Sequence, residues 1–239
     1  MPYSNMTLED FARHVGLNLE EVRKLADRGK LPGQKVGGQW RFNRARVTEW
    51  LQQEIPGYEH DRLVELEQAM AHPDSPPEKS MIITDLVGVE GIEPALPANT
   101  KASVLRELVA LAGRTGLLYD GEGLLDALQQ REELCSTALP NGVAIPHPRQ
   151  PMPYVSAEPL ICVARSTRGI PFGSSSGCGA LTSLFFLICC HDDRHHLRVL
   201  ARLMRLIDDP TIARMMAAET REDLLQVLID KEEAVLVAM

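Results

Sequence analysis

The 239-residue sequence lacks the long apolar stretch that a membrane-spanning helix requires. Such a helix needs about 20 apolar residues, and the longest apolar run, residues 184–190, has the length of a buried strand. The N-terminus also lacks the basic and then apolar pattern of a secretory signal. We therefore expect a cytoplasmic protein with no membrane partner.

Cysteine is scarce, and its spacing follows neither a disulfide nor a metal pattern. The cysteines form no CxxC pair, and their odd number prevents complete pairing. We expect buried free thiols in a reducing compartment. The five are Cys135, Cys162, Cys178, Cys189 and Cys190.

Two motifs that would indicate a metal or a nucleotide are absent. Residues 191–196 are rich in histidine and aspartate, but the HExxH glutamate is missing, so a solvated helix start is the better interpretation. The segment 173–177 lacks the Lys-Ser/Thr that completes a nucleotide P-loop, which favours a turn between strands. We expect no metal and no cofactor.

Charge is distributed unevenly along the chain. Residues 1–52 carry nine Lys and Arg against six Asp and Glu, while the rest carries 16 against 27. The formal net charge of −8 therefore combines a mildly basic head with an acidic body. Such asymmetry is typical of a nucleic-acid-binding module joined to a second domain.

The basic head contains the signals of three helices and one hairpin. Thr7, Asn18 and Asn43 each precede an apolar pattern of helical spacing and are expected N-caps. Gly37-Gly38 predicts a tight hairpin. Together these signals predict a winged helix-turn-helix over residues 1–55. The side chains suited to phosphates and groove edges are Arg23, Lys24, Arg28, Lys35, Gln39 and Arg41.

An ordinary solvated face is the competing interpretation of these charges, because a head charge of +3 is small for a DNA-binding module. Residues 6–52 nevertheless resemble the MerR-type excisionase helix-turn-helix family. The resemblance is carried by Gly29-Lys30-Leu31-Pro32, Lys35-Val36-Gly37-Gly38 and Trp40-Arg41-Phe42. It implies DNA binding, usually as a dimer or beside a partner protein, although some members are protein-interaction modules.

Residues 56–79 have the composition of a linker, with several prolines near their end. Within them, Leu63, Leu66 and Met70 recur at helical spacing, which predicts a short amphipathic helix over residues 61–70. Two positions are open for that helix: packed on the head, or paired with its copy in a homodimer.

From residue 80 to 239, helical patterns alternate with short apolar runs. The alternation predicts an α/β layered domain with a mixed sheet flanked by helices. The expected strands span residues 143–145, 160–164 and 184–190. The expected helices span about 100–112, 121–132, 195–207, 210–218 and 220–229.

One histidine of this body, His147, follows an apolar run and lies between two prolines. Pro148 restricts the backbone of His147 itself, so the imidazole is presented on a stiff turn. A neutral imidazole is available near pH 7 to accept a phosphoryl group. Arg131 supplies a fork suited to phosphate, and His196 supplies a second imidazole.

Each of these residues also has a plainly structural interpretation. His147 can be a turn histidine bonded to a backbone carbonyl, and Arg131 can be a helix-end charge near its acidic neighbours. The adjacent His195 and His196 can be a solvent-facing helix start. Because successive helical residues point about 100° apart, these two histidines cannot share one role.

Residues 80–235 resemble enzyme IIA of the phosphotransferase system, of the fructose/mannitol type that includes a nitrogen-regulatory branch. The resemblance is carried by Arg131-Glu132, Ser136-Thr137, the run 142–147 and His196-Leu197. It implies that His147 is phosphorylated by a histidine phosphocarrier protein and that Arg131 and His196 assist. It places Ser136 and Thr137 beside the phosphate.

The sequence departs from this family pattern at two places. Pro148 stands where many members have glycine, which stiffens the turn and removes one N–H. Thr182-Ser183 stands where an aspartate commonly precedes the strand.

The sequence thus predicts a phosphoryl-transfer protein with a phosphohistidine intermediate rather than a free-standing metabolic enzyme. Its DNA-binding head predicts that the phosphorylation state regulates genes. Expected partners are the phosphocarrier, DNA, regulated proteins and a second copy of the chain. The alternative is a non-catalytic transcription factor or adaptor that uses the second domain as a scaffold.

Overall fold

The computed structural model describes residues 5–71, 80–173 and 181–237. Contacts divide the chain into two compact units, one made of Met1–Glu78 with Asp193–Met204 and the other of Lys79–Asp192 with Arg205–Met239. Cys178 and most of the turn expected over residues 173–177 lie outside the described residues.

The first unit begins with two short helices, α1 (Leu8–Val15) and α2 (Leu19–Asp27). The Thr7 hydroxyl accepts the backbone N–H of Asp10 at 3.1 Å, and the Asp10 carboxylate accepts the N–H of Thr7 at 3.2 Å, which completes a capping box. The Asn18 side chain caps α2 by accepting a backbone N–H two residues on, at 2.8 Å. Both expected N-caps are confirmed.

The predicted hairpin consists of β2 (Gly33–Val36) and β3 (Gln39–Asn43), which pair antiparallel. Gly37 and Gly38 form its bend with φ angles of 58° and 79°, a region that glycine enters without a steric penalty. A two-residue strand, β1 (Asn5–Met6), pairs with the other edge of β3. Helices and hairpin together confirm the helix-turn-helix head.

Two helices follow the hairpin: α3 (Arg44–Glu54), capped by Asn43, and α4 (His60–Met70). The apolar side of α4 is buried, and the Arg62 guanidinium donates to the carbonyl oxygen of Val15 at the end of α1, at 2.7 Å. Of the two positions left open by the sequence, α4 therefore takes the one against the head.

The first unit also contains most of α7 (Asp193–Leu206). The Arg202 guanidinium binds the Glu67 carboxylate of α4: its Nε lies 3.0 and 2.9 Å from the two oxygens, and Nη2 also contacts Oε1. Both residues are almost wholly buried. Arg194 Nη1 donates to the carbonyl oxygen of Ala71 at 3.3 Å. Helix α7 thus packs with α4.

The second unit is built on a four-stranded sheet of order β4-β6-β7-β5. Its strands are β4 (Ile92–Glu93), β5 (Val143–Ala144), β6 (Leu160–Ile170) and β7 (Thr182–Cys189). Strands β6 and β7 pair antiparallel, whereas β4 is parallel to β6 and β5 is parallel to β7. The mixed sheet predicted from the sequence is confirmed.

Four helices belong wholly or mainly to this unit: α5 (Lys101–Arg114), α6 (Gly121–Leu134), α8 (Asp209–Ala217) and α9 (Arg221–Val237). The apolar faces of α5 and α6 pack against inward-facing residues of β6 and β7. Short 3₁₀ turns span Ile55–Gly57, Thr84–Leu86 and Val89–Gly91.

Two elements, β6 and α9, continue well beyond the ends that the sequence pattern predicts. Strand β6 continues past residue 164 to Ile170, through an irregular pairing after Arg165 that breaks the apolar alternation. Helix α9 continues past residue 229 because Glu232, in a charged run, is buried and accepts the backbone N–H of Ile83 and of Thr84, each at 2.9 Å.

Candidate functional site

His147 lies just beyond the end of β5, in the run that the sequence singled out. The residues from Val143 to Pro146 are buried, and the carbonyl oxygen of Pro146 accepts the N–H of Ile188 in β7 at 3.0 Å. The turn is therefore tied to the sheet immediately before the histidine. His147 itself is only 3% exposed.

A hydrogen bond fixes the tautomer of this imidazole. Its Nδ1 lies 2.7 Å from the carbonyl oxygen of Ile145. A carbonyl can only accept, so Nδ1 carries the proton, and in the neutral ring Nε2 holds the electron pair. The bond matches the structural interpretation of His147 as a turn histidine bonded to a backbone carbonyl.

Arg131 lies in the last part of α6 and is 6% exposed. Its Nη1 donates to the carbonyl oxygen of Cys135 at the end of the helix, at 2.7 Å. The helix-end role that the sequence left open is therefore present. The bond orients the guanidinium while using one of its five N–H donors.

A buried carboxylate organises the Ser136-Thr137 segment. Glu132 accepts the backbone N–H of Thr137 at 3.0 Å and also accepts its hydroxyl. Lys101 Nζ donates to the other carboxylate oxygen at 3.2 Å. The Ser136 hydroxyl accepts the backbone N–H of Ala138 at 3.2 Å, so it bonds within its own turn.

His196 lies in the first turn of α7, within the part of that helix that belongs to the first unit. It is 3% exposed, whereas its neighbour His195 is partly exposed. The interpretation as a solvent-facing pair therefore fails for His196. The two adjacent histidines thus differ in burial, and the choice between them as the assisting residue stays a prediction.

The two departures from the family pattern have distinct settings. Thr182 is buried at the start of β7 and pairs with Ile170, and the N–H of Ser183 donates to the carbonyl oxygen of Gly142 at 2.9 Å. Thr182 and Ser183 thus take part in the strand pairing at the start of β7. Pro148, without an N–H, follows His147 directly.

The remaining histidine and cysteine candidates have structural settings. His191 Nε2 lies 3.1 Å from the Ser156 hydroxyl. Four cysteines, Cys135, Cys162, Cys189 and Cys190, are free thiols, and burial raises the pKa of Cys162 to about 12 and that of Cys189 to about 11. No group of three or more His, Cys, Asp or Glu within the described ranges is placed to hold a metal ion.

In the head, several of the predicted DNA-contacting side chains line one groove of about 430 Å³ beside the hairpin. An acidic residue on α2, Asp27, shares this groove: its carboxylate accepts Lys35 Nζ at 3.0 Å and the indole N–H of Trp40 at 3.3 Å. The hydrogen bond from Lys35 is the main cause that lowers the pKa of Asp27. The predicted residues in the groove are Arg23, Lys35, Gln39 and Arg41.

Lys24 and Arg28 are exposed on α2 and its end but do not line this groove. Arg41 Nη2 donates to the Gln39 side-chain oxygen at 2.6 Å, which joins two of the groove residues. The structure therefore brings four of the six predicted residues together.

Three residues of these sites, Lys101, Asp27 and Glu132, are not predicted as site residues by the sequence. Lys101 comes from another helix, 31 positions before Glu132, and Asp27 is an acid in a basic segment. Glu132 belongs to the segments that carry the family resemblance, but the sequence pattern assigns it no role of its own. A charged residue at a core-facing position of α6 is the sequence feature that could have indicated a buried, hydrogen-bonded carboxylate.

These features define a protein with a helix-turn-helix head and an α/β unit that presents a buried histidine at a strand end. Residues 86–231 match the family described as "Phosphoenolpyruvate-dependent sugar phosphotransferase system, EIIA 2", and residues 6–54 match a helix-turn-helix domain family. The chain belongs to the EIIA type 2 family of the phosphotransferase system, with a helix-turn-helix domain in front.

Individual relatives cover the second domain. A nitrogen regulatory protein of Bradyrhizobium diazoefficiens is 39% identical over 142 residues, which is 58% of this chain and 88% of that protein. A fructose-specific EIIA component of Haloferax volcanii is 28% identical over 152 residues, or 63% and 97% of the two chains. The crystal structure of nitrogen regulatory protein IIA-Ntr from Neisseria meningitidis has a TM-score of 0.55 at 23% identity, and the match covers 62% of this chain and 99% of that one.

Of the helices in the described part of the chain, none combines the length and the apolar composition that a membrane crossing requires.

Proposed function

We propose that His147 accepts a phosphoryl group from a histidine phosphocarrier protein and that its charge state regulates genes through the helix-turn-helix head. The observation that carries the proposal is the Nδ1–H bond of His147 to the carbonyl oxygen of Ile145. It leaves the Nε2 electron pair as the attacking group at neutral pH. A cytoplasmic location follows from the need to meet such a carrier.

The phosphoryl transfer needs only His147 and the phosphohistidine of the donor protein as reactants. The Nε2 electron pair of His147 forms a bond to phosphorus, while the N–P bond of the donor phosphohistidine breaks and its electron pair returns to the donor ring. Nδ1 keeps its proton, and the carbonyl oxygen of Ile145 stabilises the positive ring that results. Because the moving group bears spread negative charge, nearby cations and N–H donors supply most of the catalysis.

Two side chains receive assisting roles in this proposal. Arg131 is oriented by its bond to the end of α6 and offers further N–H donors to phosphoryl oxygens. His196, buried at the start of α7, receives the second role that the family resemblance assigns. Ser136 and Thr137 stay proposed neighbours of the phosphate.

A transfer assay with the general phosphotransferase enzymes and labelled phosphoenolpyruvate tests the acceptor. We expect acid-labile label on the wild-type chain, located on His147 by mass spectrometry, and none on a His147→Ala variant. His60→Ala, which removes an exposed histidine of α4, is the matched control and retains the label. Equal labelling of His147→Ala and wild type would overturn the assignment.

For the head we propose DNA binding through the groove beside the hairpin, supported by its four predicted polar and basic residues. Binding to promoter fragments is expected to weaken as salt rises, since phosphate contacts release counterions. Absence of both specific and non-specific binding at low salt would instead favour the adaptor function, with regulated proteins as partners.

Phosphorylation adds nearly two negative charges at His147, which can alter the docking of the head or of a partner. A comparison of promoter affinity between the phosphorylated and unphosphorylated full chain tests this regulatory step. Identical affinities would contradict the coupling while leaving the acceptor role intact. Dimerisation through the head is proposed on the family resemblance alone.

A further inference from the structure

We propose that Glu132 is a positioning residue for phosphoryl transfer: it holds the backbone that fixes the tautomer and orientation of His147. The inference rests on the proposed acceptor role of His147 and goes beyond it, because Glu132 acts through other residues. The Glu132 carboxylate is buried, and the proposed acceptor role of His147 gives no reason for a carboxylate at this position.

The carboxylate oxygens of Glu132 accept only from hydrogen-bond donors among the contacts described. Its side chain is 3% exposed, and its three partners, the N–H and hydroxyl of Thr137 and the ammonium of Lys101, all donate to it. Burying a charge is costly unless the charge is paired and hydrogen-bonded. The pairing with Lys101 and the two bonds from Thr137 meet this condition. Glu132 thereby holds both the backbone N–H and the hydroxyl of Thr137.

Thr137 is in turn hydrogen-bonded to Ile145, two residues before His147. Its carbonyl oxygen accepts the N–H of Ile145 at 3.1 Å. The carbonyl oxygen of Ile145 in turn accepts Nδ1–H of His147 at 2.7 Å. Both backbone polar groups of Ile145 are therefore engaged, one by the Thr137 segment and one by the imidazole.

The consequence is a continuous series of bonds from Lys101 through Glu132, Thr137 and Ile145 to His147. If Glu132 no longer holds Thr137, the Ile145 carbonyl loses its fixed direction relative to the ring. The Nδ1–H tautomer then loses its preference, and the Nε2 electron pair is presented for a smaller fraction of the time. Small misplacements of a reacting group have large effects on rate.

The test uses the full chain and phosphoramidate, a small phosphoryl donor that needs no docking surface. Glu132→Gln keeps the shape of the side chain but removes its charge and leaves one acceptor oxygen for donors that now use two. Because the Lys101 ammonium can only donate, the amide oxygen turns to Lys101 and its NH2 group faces the donors of Thr137. We expect the maximal rate of His147 phosphorylation to fall on the order of tenfold, with little change in the phosphoramidate concentration that gives half of it. Glu133→Gln removes the same charge from the next, exposed position of α6 and is expected to leave the rate unchanged.

Nitrogen-15 NMR of labelled histidine supplies a readout that lost stability alone does not explain. The His147 signals are identified as those missing from His147→Gln. We expect the wild type to show Nδ1–H alone and Glu132→Gln to show a mixture of both tautomers at a temperature where both chains are folded. Thr137→Ser keeps the hydroxyl and the N–H that bond to Glu132 and is expected to show the Nδ1–H tautomer alone.

If Glu132→Gln has reduced folding, Thr137→Val replaces it, since that change removes only the hydroxyl bond and nearly preserves shape. A wild-type tautomer and a wild-type rate in these variants overturn the positioning role. So does an equal slowing by Glu133→Gln. Failure of the wild type itself to take up phosphate overturns the proposed function instead, and the tautomer measurement distinguishes the two failures because it needs no phosphorylation.

Discussion

Asp27 on α2 and Lys35 on β2 form an ion pair of 3.0 Å within the groove that contains four of the predicted DNA contacts. The Asp27 carboxylate therefore competes with a DNA phosphate for the Lys35 ammonium. A phosphate that binds Lys35 has to replace this carboxylate, or share the ammonium with it.

An Asp27→Asn variant is expected to bind DNA more tightly at low salt. The change removes a negative charge from the groove and releases Lys35, so the magnitude of the slope of log affinity against log salt rises by about 1. Fluorescence anisotropy across a salt series measures that slope. Asp61→Asn, an exposed carboxylate of α4, is the control of equal charge. An unchanged slope for Asp27→Asn would show that Lys35 makes no phosphate contact.

The first unit is expected to lose stability in mild acid because of His14. Burial, followed by the nearby Arg44 and Arg194, lowers the pKa of His14 from 6.5 to about 4. The unfolded chain therefore takes up the proton first, so this stability is complete above pH 6.5 and declines as the pH falls from 6.5 to 4. The shift corresponds to about 3 kcal/mol at most.

Urea unfolding at a series of pH values, followed by the fluorescence of Trp40 and Trp50 of the head, tests this prediction. Other groups also titrate in this range, so the quantity to compare is the difference between wild type and His14→Leu. We expect that difference to change between pH 6.5 and 4 and to be constant above pH 7. A difference independent of pH would contradict the low pKa.

The Glu67–Arg202 pair is expected to matter far more than an exposed pair. Glu67→Gln removes the carboxylate charge that the buried Arg202 guanidinium binds, which costs about 3 kcal/mol or more in the free energy of unfolding. Glu65→Gln removes an exposed carboxylate that pairs with the partly buried Arg62 and costs less than about 1 kcal/mol. Denaturant titration measures both.

The double variant Glu67→Leu with Arg202→Met distinguishes the loss of stability caused by an unpaired charge from the loss caused by altered packing. Apolar replacement of both partners is expected to recover most of the lost stability, because neither member of the pair then buries a charge without the other. A double variant no more stable than Glu67→Gln would mean that the loss comes from packing rather than from an unpaired charge.

Two glycines that end helices distinguish backbone strain from crowding. Gly16 and Gly29 both have a φ of 69°, but a Cβ on Gly16 would lie 3.0 Å from the Ala69 side chain of α4, whereas a Cβ on Gly29 meets nothing within 4 Å. We expect Gly29→Ala to cost about 1 kcal/mol from the left-handed backbone alone, and Gly16→Ala to cost more. Equal losses in thermal unfolding would contradict the close approach of α4.

Local signals were enough to predict the head and the element order of the body. Thr7, Asn18 and Asn43 bond to the backbone just after them, so the sequence contains both the cap and its target. The turn at Gly37-Gly38 is equally local. The mixed sheet followed from the alternation of helices and apolar runs.

The features that the sequence did not predict depend on distant partners. Glu232 continues α9 because its carboxylate meets backbone groups almost 150 positions away. Glu132 and Lys101 are joined across two helices, and strand β4 has only two residues, too few for a periodic signal. In each case the decisive contact forms only in the folded chain.

Helix α7 makes the first unit discontinuous in sequence, so two distant stretches must stay compatible. Its residues lie inside the stretch that matches the EIIA family, yet most of them complete a unit whose other part precedes that stretch. A hybrid chain that takes residues 1–71 from a relative with another residue at position 67 would place that residue opposite Arg202. We therefore expect positions 67 and 202 to change together between related chains, although 135 positions separate them.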